Sequence, residues 1–183
     1  MRIIAGQFRG RVIKSPPNLK TRPTSDRLRE SLFNIINPRI NERTIFLDLC
    51  AGTGAIGIEA ISRGVSQVTF VEISRKVCGL IEENLDNLAI PESQTEIICE
   101  KAEKFLVKTS KTFDIVYFDP PYQNDYAQIL QQFGEANSKL LTENGIFIAE
   151  HSSKENLPDL VGELRRWRIL KQGDSSLSFY ELK

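Results

Sequence analysis

The stretch Ile45-Phe-Leu-Asp-Leu-Cys-Ala-Gly-Thr-Gly-Ala-Ile-Gly57 decides the fold. Residues 45–50 are a continuous apolar run interrupted by a single acid, Asp48, the pattern of a parallel strand buried on both faces. Gly52, Gly54 and Gly57 follow at once and satisfy G-x-G-x-x-G, and a helix is expected to continue to Arg63, with Gly64 as its C-cap. Strand, glycine turn and helix in this order open a doubly wound sheet, because glycine allows a tight turn and a close approach of backbone to a ligand at the helix N-terminus. This pattern alone suits NAD as well as other adenosine cofactors.

Downstream, Gln67-Val-Thr-Phe-Val-Glu72 reads as a second strand. It ends in an acid about 20 residues after the first glycine, where a carboxylate accepts from ribose hydroxyls. An amphipathic helix over 75–88 stopped by Pro91, a strand over 95–99 and a short helix over 102–106 follow. Phe113-Asp-Ile-Val-Tyr-Phe-Asp119 is the fourth strand, running into Pro120-Pro121-Tyr122. Proline lacks an N–H and drives the preceding residue to an extended conformation, so this tetrapeptide is stiff and presents a carboxylate, bare carbonyls and an aromatic ring. Ligands of open α/β sheets bind beyond the carboxyl ends of strands, which is where these groups fall. A helix over 126–141, a turn at 143–145 and a fifth strand over 146–150 come next, then stretches 167–171 and 176–182 around Gly173-Asp174. The last two read as an antiparallel terminal hairpin on a mostly parallel sheet.

Upstream, the formal charge of zero hides an asymmetry. Residues 1–43 hold ten Lys/Arg against three Asp/Glu, and the remainder fourteen against twenty-one. Such asymmetry suggests a basic arm for a polyanion on a mildly acidic domain. Residues 1–20 form this arm, a hairpin of strands 2–5 and 11–14 carrying Arg2, Arg9, Arg11 and Lys14, with Phe8 near its tip able to stack on a base. A solvated edge hairpin whose charges only prevent aggregation is the competing interpretation. Residues 21–183 form the main domain. Arg22 lies in Thr21-Arg-Pro-Thr24, which leads into a helix with Thr24 or Ser25 as N-cap and Asp26 in its first turn. Leu28, Leu32, Phe33, Ile35 and Ile36 share its apolar face, Arg27 and Arg29 are left for the outside, and Asn37-Pro38 ends it.

Other chemistries find little support. Cys50, Cys78 and Cys99 are odd in number, sit in apolar surroundings and show no metal-ligand spacing; they read as core thiols of a reducing compartment. No Ser/His/Asp constellation or metal site is visible, His151 reads as non-catalytic and Glu150 as a sheet-end residue. There is no long apolar N-terminal segment or membrane-spanning run, so a cytoplasmic monomer is expected, with no membrane partner.

Nearly the whole chain resembles the RsmD family of class I S-adenosylmethionine-dependent methyltransferases. The resemblance rests on Arg2-Ile-Ile-Ala-Gly6 with Arg9-Gly10-Arg11, on Arg22-Pro-Thr-Ser-Asp-Arg27 with Leu32-Phe-Asn34, and on Asp48 to Gly57 with Asp119-Pro-Pro-Tyr122. The last pair is common to amino-group methyltransferases; the N-terminal stretches make the resemblance specific. It implies a doubly wound seven-stranded Rossmann-like sheet with a reversed terminal hairpin, and methylation of guanine N2 in 16S ribosomal RNA, naked or in the small ribosomal subunit. It also implies that Asp48 and the loop Ala51, Gly52, Thr53, Gly54 and Gly57 hold the amino acid part of S-adenosylmethionine, and Glu72 its ribose. Beside Ala102, where relatives usually have Asp or Asn, this chain has Lys101, and adenine recognition is assigned to Lys101 and Ala102.

The loop chemistry agrees. The lone pair of a purine amino group is delocalised into the ring, and an acceptor such as Asp119, with the Pro120 carbonyl, can hold its protons and aim that lone pair at a sulfonium methyl. Positioning of this kind supplies about 7–11 kcal/mol of a barrier. Pro121 keeps the loop stiff, and stacking on Tyr122 is worth about 1–3 kcal/mol per base. An NAD-dependent oxidoreductase would explain the glycines and Glu72 but leaves Asp119-Pro-Pro-Tyr122 without a role. An RNA-binding module without catalysis is the third class, and adenine, cytosine or glutamine amino groups would suit the same loop.

Overall fold

The apolar runs become strands. In the computed structural model, which describes residues 1–15, 25–120, 126–136 and 138–183, β1 (Ile45–Leu49), β2 (Gln67–Glu72), β3 (Thr95–Cys99), β4 (Phe113–Phe118) and β5 (Leu141–Ser152) alternate with helices. The helices are α1 (Asp26–Ile36), α2 (Ala55–Ser62), α3 (Arg75–Asn87), α4 (Ala102–Lys108) and α5 (Tyr126–Ala136); β6 (Leu160–Val161), β7 (Leu164–Gln172) and β8 (Ser175–Leu182) close the chain. The strands form one sheet in the order β3-β2-β1-β4-β5-β8-β7-β6. Pairings among β1 to β5 are parallel, and those of β5, β6, β7 and β8 antiparallel.

Both faces are covered. Phe33 of α1, Ile58 of α2 and Ile81 of α3 share one core with Phe46, Phe70, Tyr117 and Phe179 of the sheet. Phe105 of α4 and Phe133 of α5 share the other with Leu47, Val116, Phe147 and Tyr180. The chain departs from β1 toward β2 and β3 on one side and returns to β4 on the other, so the switch point lies between β1 and β4. That crevice is where an open sheet binds its ligand. Asp114 fixes the register beneath it, accepting from Ile45 N–H at 2.8 Å and from the Thr142 hydroxyl at 2.8 Å.

Several expectations need correction. The sheet has eight strands rather than seven, because two residues of β6 pair with the start of β7; so short a strand leaves no periodic signal. The turn expected at 143–145 is an irregularity inside β5, where the register with β4 jumps from Phe113/Leu141 to Ile115/Ile146. Cys78 is buried, but Cys50 is half-buried and Cys99 exposed, since β3 is the edge of the sheet.

Arg29 is another. It is fully buried, not on the outside. Its Nη2 donates to the Arg2 carbonyl at 2.6 Å and to Asp26 at 2.9 Å, and its Nη1 points at the Met1 sulfur. Burial pushes its pKa down, while Glu59 and Asp26 act in the opposite direction. A guanidinium can take a core position where its donors find partners such as these.

The N-terminal segment holds a single antiparallel bridge, Arg2 with Val12, rather than two strands. Around that bridge its two arms pair with each other, Ile3 N–H with the Arg11 carbonyl at 3.0 Å, Gly10 N–H with the Ile3 carbonyl at 2.9 Å and Ile13 N–H with the Met1 carbonyl at 2.9 Å, and other backbone groups of the segment are bonded to the domain. Ile4 and Ala5 N–H donate to buried Glu59 at 2.8 and 3.0 Å, Phe8 N–H to Ser62 Oγ at 2.9 Å, and Lys14 N–H to Asn84 at 2.8 Å. Gly6, at φ +83°, lies so close to α2 that a Cβ would fall 1.7 Å from the Ser62 carbonyl oxygen. Ile3 and Ile13 join the core.

Removing Arg29 takes the partner from the Arg2 carbonyl and opens a cavity in the core. Arg29→Ala should lower stability by about 2–4 kcal/mol in chemical denaturation. Arg27→Ala, at an exposed position of the same helix, should stay within about 0.5 kcal/mol. Equal effects would contradict the anchoring role of Arg29.

Candidate active site

Four acids stand at or just beyond the carboxyl ends of adjacent parallel strands: Glu72 on β2, Asp48 on β1, Asp119 after β4 and Glu150 on β5. Phe70, Phe46, Tyr117 and Ile148, two residues before each, line the first-face core. Side chains alternate along a strand, so all four carboxyls turn to that same face, toward α1, α2 and α3.

The glycine loop bridges β1 and α2. Cys50 and Ala51 N–H both donate to the Val71 carbonyl at 2.9 Å, which ties the loop to β2, and Cys50 takes a φ of +74° to do so. Gly52 (φ +53°) and Gly54 (φ +75°) also lie in the left-handed region that favours glycine. At Gly52 a Cβ would meet no atom of the described residues within 4 Å, so among them the space above the loop is open. Ala51 and Thr53 are half-exposed beside it, whereas Gly54 is buried as the N-cap of α2. Gly57 has a different role: a Cβ there would fall 2.3 Å from the Phe70 ring, so it allows α2 to pack on β2.

Asp48 lies beneath this loop, 1% exposed, and accepts from Gly57 N–H at 2.9 Å. The acid therefore has a structural partner that the sequence does not reveal. Burial, reinforced by Glu72, pushes its pKa up to about 8 against the lowering effect of the Gly57 hydrogen bond. Glu72 is half-buried, accepting from Gly52 N–H at 3.0 Å on one oxygen and Ser74 N–H at 2.8 Å on the other, so its carboxylate is fixed toward the loop. Lys101 is exposed and is the backbone N-cap of α4; Ala102 beside it is half-buried.

Across the switch point, Asp119 is half-buried, and its N–H reaches the Leu49 carbonyl of β1 at 3.4 Å. Pro120 is buried. Pro121 and Tyr122 lie outside the described residues, as does Arg22. Burial raises the Asp119 pKa well above the carboxylate range, with Glu150 and Asp48 adding to it. Burial likewise pushes the Cys50 thiol up. The sequence reading missed Glu150 as a member of this cluster. It is 5% exposed, lies inside β5 and accepts from the Tyr117 hydroxyl. The signal was present: like the other three, it is an acid ending an apolar run.

The arm residues Arg2, Arg9, Arg11 and Lys14 are all exposed, while Phe8 is half-buried against the core. Arg2 donates to the Gly10 carbonyl at 3.0 Å, Arg11 to the Asn87 carbonyl at 2.9 Å, and Lys14 pairs with Glu83. The last two contacts hold Arg11 and Lys14 on the surface beside α3 without burying their charge.

The family model described as Conserved hypothetical protein 95 matches residues 1–181. The chain belongs to this family. It is the RsmD family, as the sequence motifs imply. Ribosomal RNA small subunit methyltransferase D of Haemophilus influenzae is 34% identical over 100% of this chain and 92% of its own length. The Escherichia coli K12 protein of the same name is 35% identical over 99% and 89%. Among solved structures, yhhF of Escherichia coli superposes with a TM-score of 0.87 at 31% identity, covering 100% of this chain and 98% of that one. A hypothetical protein of Thermus thermophilus gives 0.86 at 28% identity, covering 100% and 99%. The doubly wound methyltransferase architecture is that of the family.

Between about pH 4 and 8 the folded chain keeps a proton on Asp48 that the unfolded chain has released, so this residue lowers stability as pH rises through that window. Asp48→Asn retains an acceptor for Gly57 and removes the titration. Its stability relative to the unchanged protein should rise from pH 4 to pH 8 by about 1 kcal/mol or more in denaturant titrations. Parallel pH curves would contradict the buried, raised carboxyl.

Proposed function

We propose that this chain transfers the methyl group of S-adenosylmethionine to the exocyclic N2 amino group of a guanine in 16S ribosomal RNA. The observation that carries this reading is the juxtaposition, across the switch point, of the open glycine loop after β1 with Asp119-Pro120 after β4, in a chain whose relatives are named for small-subunit rRNA methylation. S-adenosylmethionine, when bound, supplies an electrophilic sulfonium methyl.

The residues present fit that cosubstrate. Ala51, Gly52 and Thr53 offer backbone beside open space, with Asp48 supporting the loop from beneath through Gly57. Glu72, already oriented by two backbone N–H groups, keeps acceptor capacity for ribose hydroxyls. Lys101 and Ala102 flank the end of β3, where the adenine would lie. Asp119 and the Pro120 carbonyl accept the amino protons of the target base, leaving the nitrogen lone pair directed at the methyl. Tyr122 would stack on the base. Proton loss is easy only after transfer, when the nitrogen is cationic, so Asp119 orients first and accepts the proton second.

Arg2, Arg9, Arg11 and Lys14 supply the RNA affinity that a net acidic domain lacks. Because the segment is bonded to α2 and α3 and contributes Ile3 and Ile13 to the core, its deletion would also damage the fold. Substitutions at exposed cations test it better.

Asp119→Ala removes an acceptor needed mainly as the transition state forms. It should lower kcat by about a hundredfold or more while S-adenosylmethionine affinity by calorimetry stays within about threefold. Turnover close to that of the unchanged protein would defeat the mechanism.

For the arm, each lost phosphate contact on single-stranded RNA flattens the log-log salt dependence of binding by about 0.7. Arg9→Ala combined with Arg11→Ala should therefore flatten the slope by about 1.4, with an unchanged melting temperature. An unchanged slope would remove these two residues from the RNA interface.

A further inference from the structure

Glu150 has no part in the chemistry described so far, yet it is the described acid placed best to act on Asp119. Phe118 and Ala149 are register partners on the parallel strands β4 and β5, so Asp119 and Glu150 occupy the next pair of positions. Neighbouring strands lie about 4.8 Å apart, which brings two carboxyl groups on one face within reach of each other. Tyr117, two residues before Asp119 and 1% exposed, donates its hydroxyl to Glu150. That bond favours the charged form of Glu150.

We propose that Glu150, anchored by Tyr117, is the final acceptor of the proton released by methyl transfer, which reaches it through Asp119. The inference rests on the reading of Asp119 as the residue that meets the target amino group. In the resting pair Asp119 is protonated and Glu150 anionic, sharing one proton. The free oxygen of Asp119 accepts an amino N–H. When the nitrogen–methyl bond forms and the sulfur–methyl bond breaks, with its electron pair returning to sulfur, the nitrogen becomes cationic. Its proton then passes to the free oxygen of Asp119 as the proton already on Asp119 moves to Glu150. The products are a neutral methylated amine and two neutral carboxyls, so the positive charge brought by the sulfonium is cancelled in place.

Among the described residues, titratable groups near the pair include the Tyr117 hydroxyl on β4, Asp48 on β1 and the Cys50 thiol beyond it; Arg29 of α1 acts on Tyr117, and Glu103 of α4 acts on Cys50. The charge of Glu150 opposes ionisation of Asp119 and supports the singly protonated resting state.

Glu150→Gln keeps an acceptor for Tyr117 and cannot take the proton. It should lower kcat by about a hundredfold with KM for S-adenosylmethionine unchanged. In carbon-13 carboxyl NMR, Asp119 of the unchanged protein should remain protonated at about pH 7, and in the variant it should titrate at lower pH. A kcat within about twofold of the unchanged protein, or an Asp119 signal that titrates as before, overturns the relay. If Glu150→Gln does not fold, Tyr117→Phe is read instead: loss of the hydroxyl should move the proton from Asp119 to Glu150, and an unmoved Asp119 signal overturns it. Asp119→Ala separates the two levels. Full activity there defeats the loop mechanism itself, whereas inactivity there with full activity in Glu150→Gln defeats only the relay.

Discussion

The hydrogen bond from Gly57 N–H to the buried carboxyl of Asp48 holds the functional end of this protein together. It joins the end of β1 to the first turns of α2 across a loop whose residues at 50, 52 and 54 all have positive φ. Gly57 can make it because it carries no side chain against Phe70. A helix seated this closely leaves the loop backbone facing open space and sets the direction in which Glu72 and the N-terminal segment meet it. A buried acid is costly unless served by donors or protonated, and Asp48 meets that cost in both ways, through Gly57 and through its raised pKa.

The same helix carries the N-terminal segment. The side chains of Glu59 and Ser62 of α2 bind four backbone groups between Ile4 and Phe8, and Asn84 of α3 binds both the N–H and the carbonyl of Lys14. Asn84 also approaches the Thr53 carbonyl of the glycine loop at 3.4 Å. The basic residues are thus presented from elements continuous with the loop, and a polyanion held by them would be held at a fixed place relative to the crevice between β1 and β4.

Much of this was legible in the sequence because it follows from local rules. The apolar runs ending in Asp48, Glu72 and Asp119 marked the parallel strands, and the glycines between 52 and 57 marked the turn. What was not legible depends on contacts distant in the chain. Arg29 looks like an exposed helix cation until its partners at Arg2 and Met1, nearly thirty residues away, are in place. Glu59 sits in the apolar helix of the glycine motif as an apparent anomaly, resolved only by the backbone of residues 4 and 5. Glu150 carried the same strand-end signal as its neighbours, but its bond to Tyr117 spans two strands. The hairpin expected at the N-terminus pairs with itself only around Arg2 and Val12, because the N–H groups of Ile4, Ala5, Phe8 and Lys14 are served by side chains of α2 and α3.

The most direct measurement of the central claim is to incubate the protein with S-adenosylmethionine carrying an isotopically labelled methyl group and with 16S ribosomal RNA, either naked or in small subunits prepared from a strain lacking the gene. The nucleosides are then separated and identified by mass spectrometry. The account predicts one labelled product, N2-methylguanosine, from a single site. A label on adenosine, cytidine or protein, or no label with either form of the RNA, would contradict it.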